Sequence, residues 1–178
     1  MRIELNMSGL AEKIREVPDF PKPGVVFKDI TPLLADPTAF TSMIDAVTEP
    51  LLDRGITKVL AIEARGFIMG APVAAALGAG FVPVRKAGKL PWEVEREEDL
   101  LEYGTDLLEV HKDAVHRGER VVIVDDVLAT GGTASAVVRL ARTLGAEVVA
   151  CSFVIELAFL DGRAQLPGIE VNQLVTYR

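Results

Sequence analysis

The sequence predicts a doubly wound α/β fold: a mainly parallel central sheet flanked by helices. Two observations carry this. Val121–Val124 and Glu147–Ile155 are nearly continuous apolar runs, the pattern of strands buried on both faces. After Gly55, short runs of this kind alternate with segments of helical periodicity, the order that builds β–α units.

In chain order, Ser8–Val17 is amphipathic enough for a short helix with Ser8 as its N-cap. Asp19–Pro32 holds Pro21, Pro23, Gly24 and Pro32 and is expected to be an ordered loop. Pro37–Arg54 reads as a helix whose apolar face is Phe40, Ile44, Val47 and Leu51. Lys58–Ile62 is a strand, Phe67–Leu77 a helix and Phe81–Val84 a strand. Val121–Val124 is the next clear strand, Thr133–Leu144 a helix and Glu147–Ile155 a strand; a short helical piece leads to a last strand, Glu170–Val175. Lys86–Asp99 interrupts the rhythm with Gly88, Pro91, Trp92 and five acidic residues. Its spacing fits a mobile lid and a solvated β-hairpin equally well.

The 178 residues suit one domain, 1–178, and hydrophobic and charged fractions of 49% and 25% are those of a globular chain. A net charge of −7 and a pI near 4.9 provide no basic field for nucleic acid. Cys151 is the lone cysteine, which excludes an internal disulfide; it lies in an apolar run and reads as a buried small hydrophobe in a protein of a reducing compartment. Phe67–Val84 carries no charge over 18 residues, but Gly70, Pro72, Gly78, Gly80 and Pro83 punctuate it. A helix followed by a buried strand explains that run better than a membrane span. Met1–Leu10 has no apolar segment of a secretory signal. His111 and His116, in the polar stretch His111–Arg120, are expected at the surface.

The strongest local signal runs from Val121 to Thr133: a buried strand, the acids Asp125 and Asp126, the small-residue loop Ala129-Thr130-Gly131-Gly132-Thr133, then a helix. Ligands of open α/β sheets bind beyond the carboxyl ends of strands. Main-chain N–H groups at a helix N-terminus favour an anion there. Gly131 and Gly132 allow close backbone approach, and Thr130 and Thr133 add hydroxyl donors. Neither G-x-x-x-x-G-K-[ST] nor G-x-G-x-x-G occurs, which excludes a P-loop and a dinucleotide fingerprint. The aspartate pair comes too late in the chain for a response-regulator receiver. Two carboxylates would repel a phosphate, so they suit sugar hydroxyls or a hydrated Mg²⁺.

Two acids followed by Thr-Gly-Gly resemble the signature of the type I phosphoribosyltransferases, whose donor is 5-phosphoribosyl-1-pyrophosphate (PRPP). Asp19–Pro32, Glu63-Ala64-Arg65-Gly66-Phe67, Arg85–Pro91 and Leu101-Glu102-Tyr103-Gly104 resemble, in order, motifs of the members that take adenine. The resemblance implies that family's fold, with a small N-terminal base-binding hood (19–35) and a flexible lid loop (85–104). Ala129–Thr133 would cradle the 5′-phosphate and Asp125 and Asp126 the ribose hydroxyls, while Arg65, Lys86 and Lys89 would meet the pyrophosphate. Val26, Phe27, Lys28 and Val127 would bind the base, and Glu102 would serve as acid/base. Mg²⁺ would be held mainly by PRPP, near Asp125 and Asp126, with no direct protein ligand. A cytoplasmic homodimer is implied as well. Asp99 departs from the Tyr that this family often carries there. A transferase for an oxo-purine and a non-catalytic PRPP-sensing regulator are the alternatives. The second would need a DNA-binding module, and the first 50 residues hold neither a helix-turn-helix nor a basic patch.

Overall fold

The computed structural model describes residues 7–101 and 104–178. The chain forms two compact units, Met1–Ala46 and Val47–Arg178.

In the first unit, helix α1 (Met7–Ala11) is followed by strands β1 (Arg15–Pro18) and β2 (Val26–Asp29), which pair antiparallel. The expected helix Ser8–Val17 therefore stops early. Leu10 and Ile14 are both buried, which sustained the helical pattern, but the chain closes two tight turns at Lys13 and Ile14 and then pairs with β2. Asp19–Pro32 is likewise not all loop, because four residues between the breakers, Val-Phe-Lys-Asp, form β2. The turn between the strands is tied by the Asp19 side chain, which accepts the Gly24 N–H at 2.8 Å. Asp29 accepts both the N–H and the hydroxyl of Thr31 as helix α2 (Thr31–Ala35) begins. Helix α3 (Pro37–Thr48) follows, then a 3₁₀ turn at Glu49–Leu51 in place of the predicted last helical turn. Ile44, Val47 and Leu51 are buried, as their spacing requires.

The second unit is a seven-stranded sheet in the order β5 (Val94–Leu101), β6 (Gly104–His111), β4 (Gly80–Lys86), β3 (Lys58–Ile62), β7 (Arg120–Leu128), β8 (Glu147–Leu157), β9 (Glu170–Tyr177). Strands β3, β4, β7, β8 and β9 run parallel. Helix α4 (Gly66–Leu77) joins β3 to β4, and helix α5 (Gly132–Thr143) joins β7 to β8. The helices cover opposite faces. Leu60 and Ile62 share a buried cluster with Val137, Val138 and Leu140 of α5. Ala61, pointing the other way in the strand, lies so close to Gly70 of α4 that a Cβ on that glycine would strike it. The charge-free run Phe67–Val84 is thus α4 followed by β4, and no helix among the described residues is long and apolar enough to cross a membrane. Cys151 is buried in β8, and burial pushes its thiol up to about 12.

The excursion Lys86–Asp99 turns into a hairpin. Strands β5 (Val94–Leu101) and β6 (Gly104–His111) pair antiparallel, and β6 also pairs with β4. Charge made this strand hard to read, and ion pairs are what place it. Arg96 donates to the buried Glu109 at 2.6 Å. Arg139 of α5 donates to the Glu97 carboxylate at 2.7 Å and to the Glu98 carbonyl at 2.9 Å. Glu97 is therefore engaged by α5. His111 ends β6 half-buried, with its Nε2 enclosed and without a hydrogen-bond partner; His116 is exposed.

Candidate active site

β7 does not end at Val124. It stays paired with β8 through Leu128, opposite Glu156, so Asp125 and Asp126 lie within the strand. The long β8 supplies main-chain partners that far, and Asp126 is tolerated because Arg65 Nε donates to its Oδ2. Beyond Leu128 the chain turns through Ala129–Gly131, and α5 begins at Gly132. Gly131 is its N-cap at φ +85°, with no side-chain cap and no acidic residue in the first turn. No side-chain cap competes for this end of α5, where main-chain N–H groups and the helix dipole favour an anion. A hollow of about 70 Å³ opens here, lined by Asp125, Val127, Ala129, Thr130, Gly131 and Thr133 among others.

The loop owes its shape to a neighbour that sequence reasoning passed over. A Cβ on Gly131 would strike the carbonyl oxygen of Gly162, and a Cβ on Gly162 would strike the carbonyl oxygen of Ala129. Two main-chain segments touch where only glycine fits. A glycine 31 positions downstream leaves no local signal for this contact.

Arg65 stands at the N-terminus of α4, about half-exposed, with the buried Asp126 as its partner. The peptide between Glu63 and Ala64 is cis. Glu63, which had been given no role, holds one of the cations expected at the pyrophosphate, Lys89, together with Arg85 and the main chain of Lys86. Lys89 Nζ is paired with Glu63, Arg85 Nε donates to it at 2.9 Å, and the Lys86 N–H donates to it at 3.2 Å. Glu109 accepts the Gly88 N–H at 3.0 Å, so two carboxylates hold the turn that carries Lys86 and Lys89. Burial works against the ionised form of Glu63, but Lys89, Arg85 and the Lys86 N–H outweigh it and hold the carboxyl below its usual range.

Asp125 is moved the other way. Protein packed around its carboxyl, and then the charge of Asp126, push it well above the ordinary carboxylate range; the Asp126 N–H, donating to Oδ1 at 2.8 Å, and Arg65 offset this only in part. The sign of the linkage follows. Below the unfolded value, about 3.9, both states hold the proton and nothing is lost. As pH rises through the folded value, the native state must ionise an enclosed group, and stability falls. Asp125→Asn is therefore expected to raise the melting temperature of the ligand-free protein by a few degrees at about pH 8 and to change it little at about pH 4. Thermal unfolding at the two pH values checks this; an equal shift at both would contradict the assignment.

Val26, Phe27 and Lys28 belong to the first unit. Val26 is exposed, Phe27 meets Phe20 edge-on with ring centroids 5.3 Å apart, and the Lys28 ammonium is paired with Glu16 across the hairpin. Among the described residues, β2 pairs with β1 in a two-stranded sheet. Glu102 lies outside the described residues, and no side-chain detail is described for Asp99. No group of three or more His, Cys, Asp and Glu side chains converges as a metal cage among the described residues.

A parallel sheet whose strand β7 passes through paired acids into a glycine loop at a helix N-terminus defines a phosphoribosyltransferase class of site. Comparison with known proteins agrees: the sequence model of the phosphoribosyl transferase domain matches residues 38–166. Adenine phosphoribosyltransferase of Myxococcus xanthus is 54% identical over 96% of this chain and 93% of its own length. That of Thermobifida fusca is 59% identical over 92% and 93%. The crystal structure of the Thermoanaerobacter pseudethanolicus enzyme superposes with a TM-score of 0.94 at 52% identity, covering 97% of this chain and 100% of that one. The Saccharomyces cerevisiae enzyme, complexed with D-2,5-dideoxy-2,5-imino-altritol 1,6-bisphosphate and adenine, gives 0.91 at 41% identity, covering 97% and 99%. The chain belongs to the adenine phosphoribosyltransferase family.

Proposed function

We propose that this chain transfers the 5-phosphoribosyl group of PRPP to adenine, giving AMP and pyrophosphate. The observation that carries the reading is the uncapped α5 N-terminus behind Gly131, opening on a hollow beside two aspartates, in a chain more than half identical to adenine phosphoribosyltransferases.

Ala129, Thr130, Gly131, Gly132 and Thr133 hold the 5′-phosphate through main-chain donors and the two hydroxyls. Asp125 and Asp126 accept from the ribose hydroxyls, and Val127 packs against the base. Val26 and Lys28 read the 6-amino edge through main-chain groups of β2, with Phe27 on the ring. N9 of adenine attacks C1′ as pyrophosphate leaves with the bonding pair. The N7 proton passes to Glu102. Arg65, Lys86 and Lys89 neutralise the charge that grows on the leaving oxygens. The excursion Lys86–Asp99 serves as a lid that excludes water from the oxocarbenium-like centre. Two carboxylates are too few to cage Mg²⁺ and suit an ion carried by the substrate's phosphates, with Asp125 and Asp126 beside it. Bound there, Mg²⁺ supplies charge neutralisation for the leaving group. The two units act as one domain, and the chain works as a cytoplasmic homodimer. The exposed Ile68 and Phe81, the latter edge-on to Phe67, offer an apolar surface for the pairing.

Adenine, PRPP and Mg²⁺ incubated with the purified protein test this. AMP and pyrophosphate are expected, with hypoxanthine and guanine competing poorly, since a site built for an amino edge leaves buried groups unpaired against an oxo edge. Absence of AMP, or preference for hypoxanthine, would contradict the reading.

A further inference from the structure

The 3₁₀ turn Gly162–Gln165 is fastened by one side chain. Arg163 Nε donates to Glu156 Oε1 at 2.6 Å and Nη2 to Glu156 Oε2 at 3.0 Å, a fork on a carboxylate that is itself buried. Nη1 donates to the Val171 carbonyl at 3.1 Å and Nη2 to Gln173 Oε1 at 2.5 Å. Glu156 is on β8 and Val171 and Gln173 are on β9, so Arg163 ties the turn to two strands. Glu156 also sits opposite Leu128, the last residue of β7 before the loop. The same turn presents Gly162 to the backs of Ala129 and Gly131.

These contacts form a chain from β8 and β9, through Arg163 and Gly162, to the glycine loop. We propose that Arg163 is a positioning residue for the 5′-phosphate: it holds the Gly162 turn against the loop, so that the main-chain donors of Thr130–Thr133 face the hollow. This rests on the reading of that loop as a phosphoryl site. A guanidinium suits the task because its planar fork fixes direction as well as distance. The buried carboxylate gives it a partner that does not drift into solvent. Arg163 touches no reacting atom; its effect passes through the backbone, and it should fall on one half of PRPP only.

Arg163→Met tests this, with ribose 5-phosphate and pyrophosphate as separate competitive inhibitors. Expected are a KM for PRPP and a ribose 5-phosphate inhibition constant both raised about tenfold, with kcat at saturating PRPP and the pyrophosphate constant within about twofold of wild type. Gln173→Leu removes one arm of the clamp and should give the same split at smaller size. It carries the test should Arg163→Met fail to fold. A variant that loses kcat with KM unchanged, or that weakens both inhibitors alike, would show general damage and overturn the proposal. Wild-type protein with no affinity for ribose 5-phosphate would instead sink the reading of the loop. Wild-type affinity with unaltered variants would sink the clamp alone.

Discussion

Replacing Gly131 by alanine is expected to lower kcat/KM by at least about a hundredfold, the largest loss from removing no functional group. Two costs combine. The residue sits at φ +85°, where an L side chain costs about 1–2 kcal/mol. The new methyl also meets the Gly162 carbonyl group and lies 3.0 Å from the Gln165 Cβ. Main chain cannot yield as a flexible side chain does, so the loop must shift, and misplacement of donors by about 1 Å is enough for a loss of this size. Gly78→Ala separates the two terms. It has φ +65° but open space for a methyl, so it should cost some stability while leaving kcat/KM within about twofold. Steady-state kinetics and melting temperatures of the pair decide; equal activity loss in both would remove the close-approach argument.

Arg65→Gln is expected to lower kcat/KM by roughly 10²–10³-fold, the range for loss of one preorganised donor at developing charge. The structure adds a second reason. Arg65 is the partner of the buried Asp126, so its removal strands a carboxylate where the ribose hydroxyls are to be received. Arg65→Lys should recover only part of the activity, because an ammonium is a point charge without the guanidinium fork. Pyrophosphate inhibition should weaken more than ribose 5-phosphate inhibition, the reverse of the pattern for Arg163→Met. A full rescue by lysine would mean that charge alone is used.

Two carboxylates hold three of the cations around the site: Asp126 pairs with Arg65, and Glu63 with Lys89 and Arg85.

Apolar runs announced β3, α4, α5, β8 and β9 because burial and local periodicity coincide there. β3 matches its predicted span, and α5 is displaced by one residue at each end. Main-chain pairing between short polar segments was not legible. Val26–Asp29 is a strand because Arg15–Pro18 lies beside it, and β5 is held as a strand because Glu109 of β6 meets its Arg96 and Arg139 of α5 meets its Glu97. The same limit held at the site. The loop and its acids stood out through glycine, threonine and charge at fixed spacing. Glu63, Gly162 and Arg163 act through contacts across 22 to 33 positions of chain or through a buried partner, and spacing does not encode those.

Amide NMR of the protein titrated with ribose 5-phosphate bears most directly on the claim that main-chain donors behind Gly131 grip a phosphoryl group. The amides of Thr130, Gly131, Gly132 and Thr133 should move together and saturate at one dissociation constant, and Gly131→Ala should abolish the movement. Saturable binding that leaves those four resonances still would contradict it.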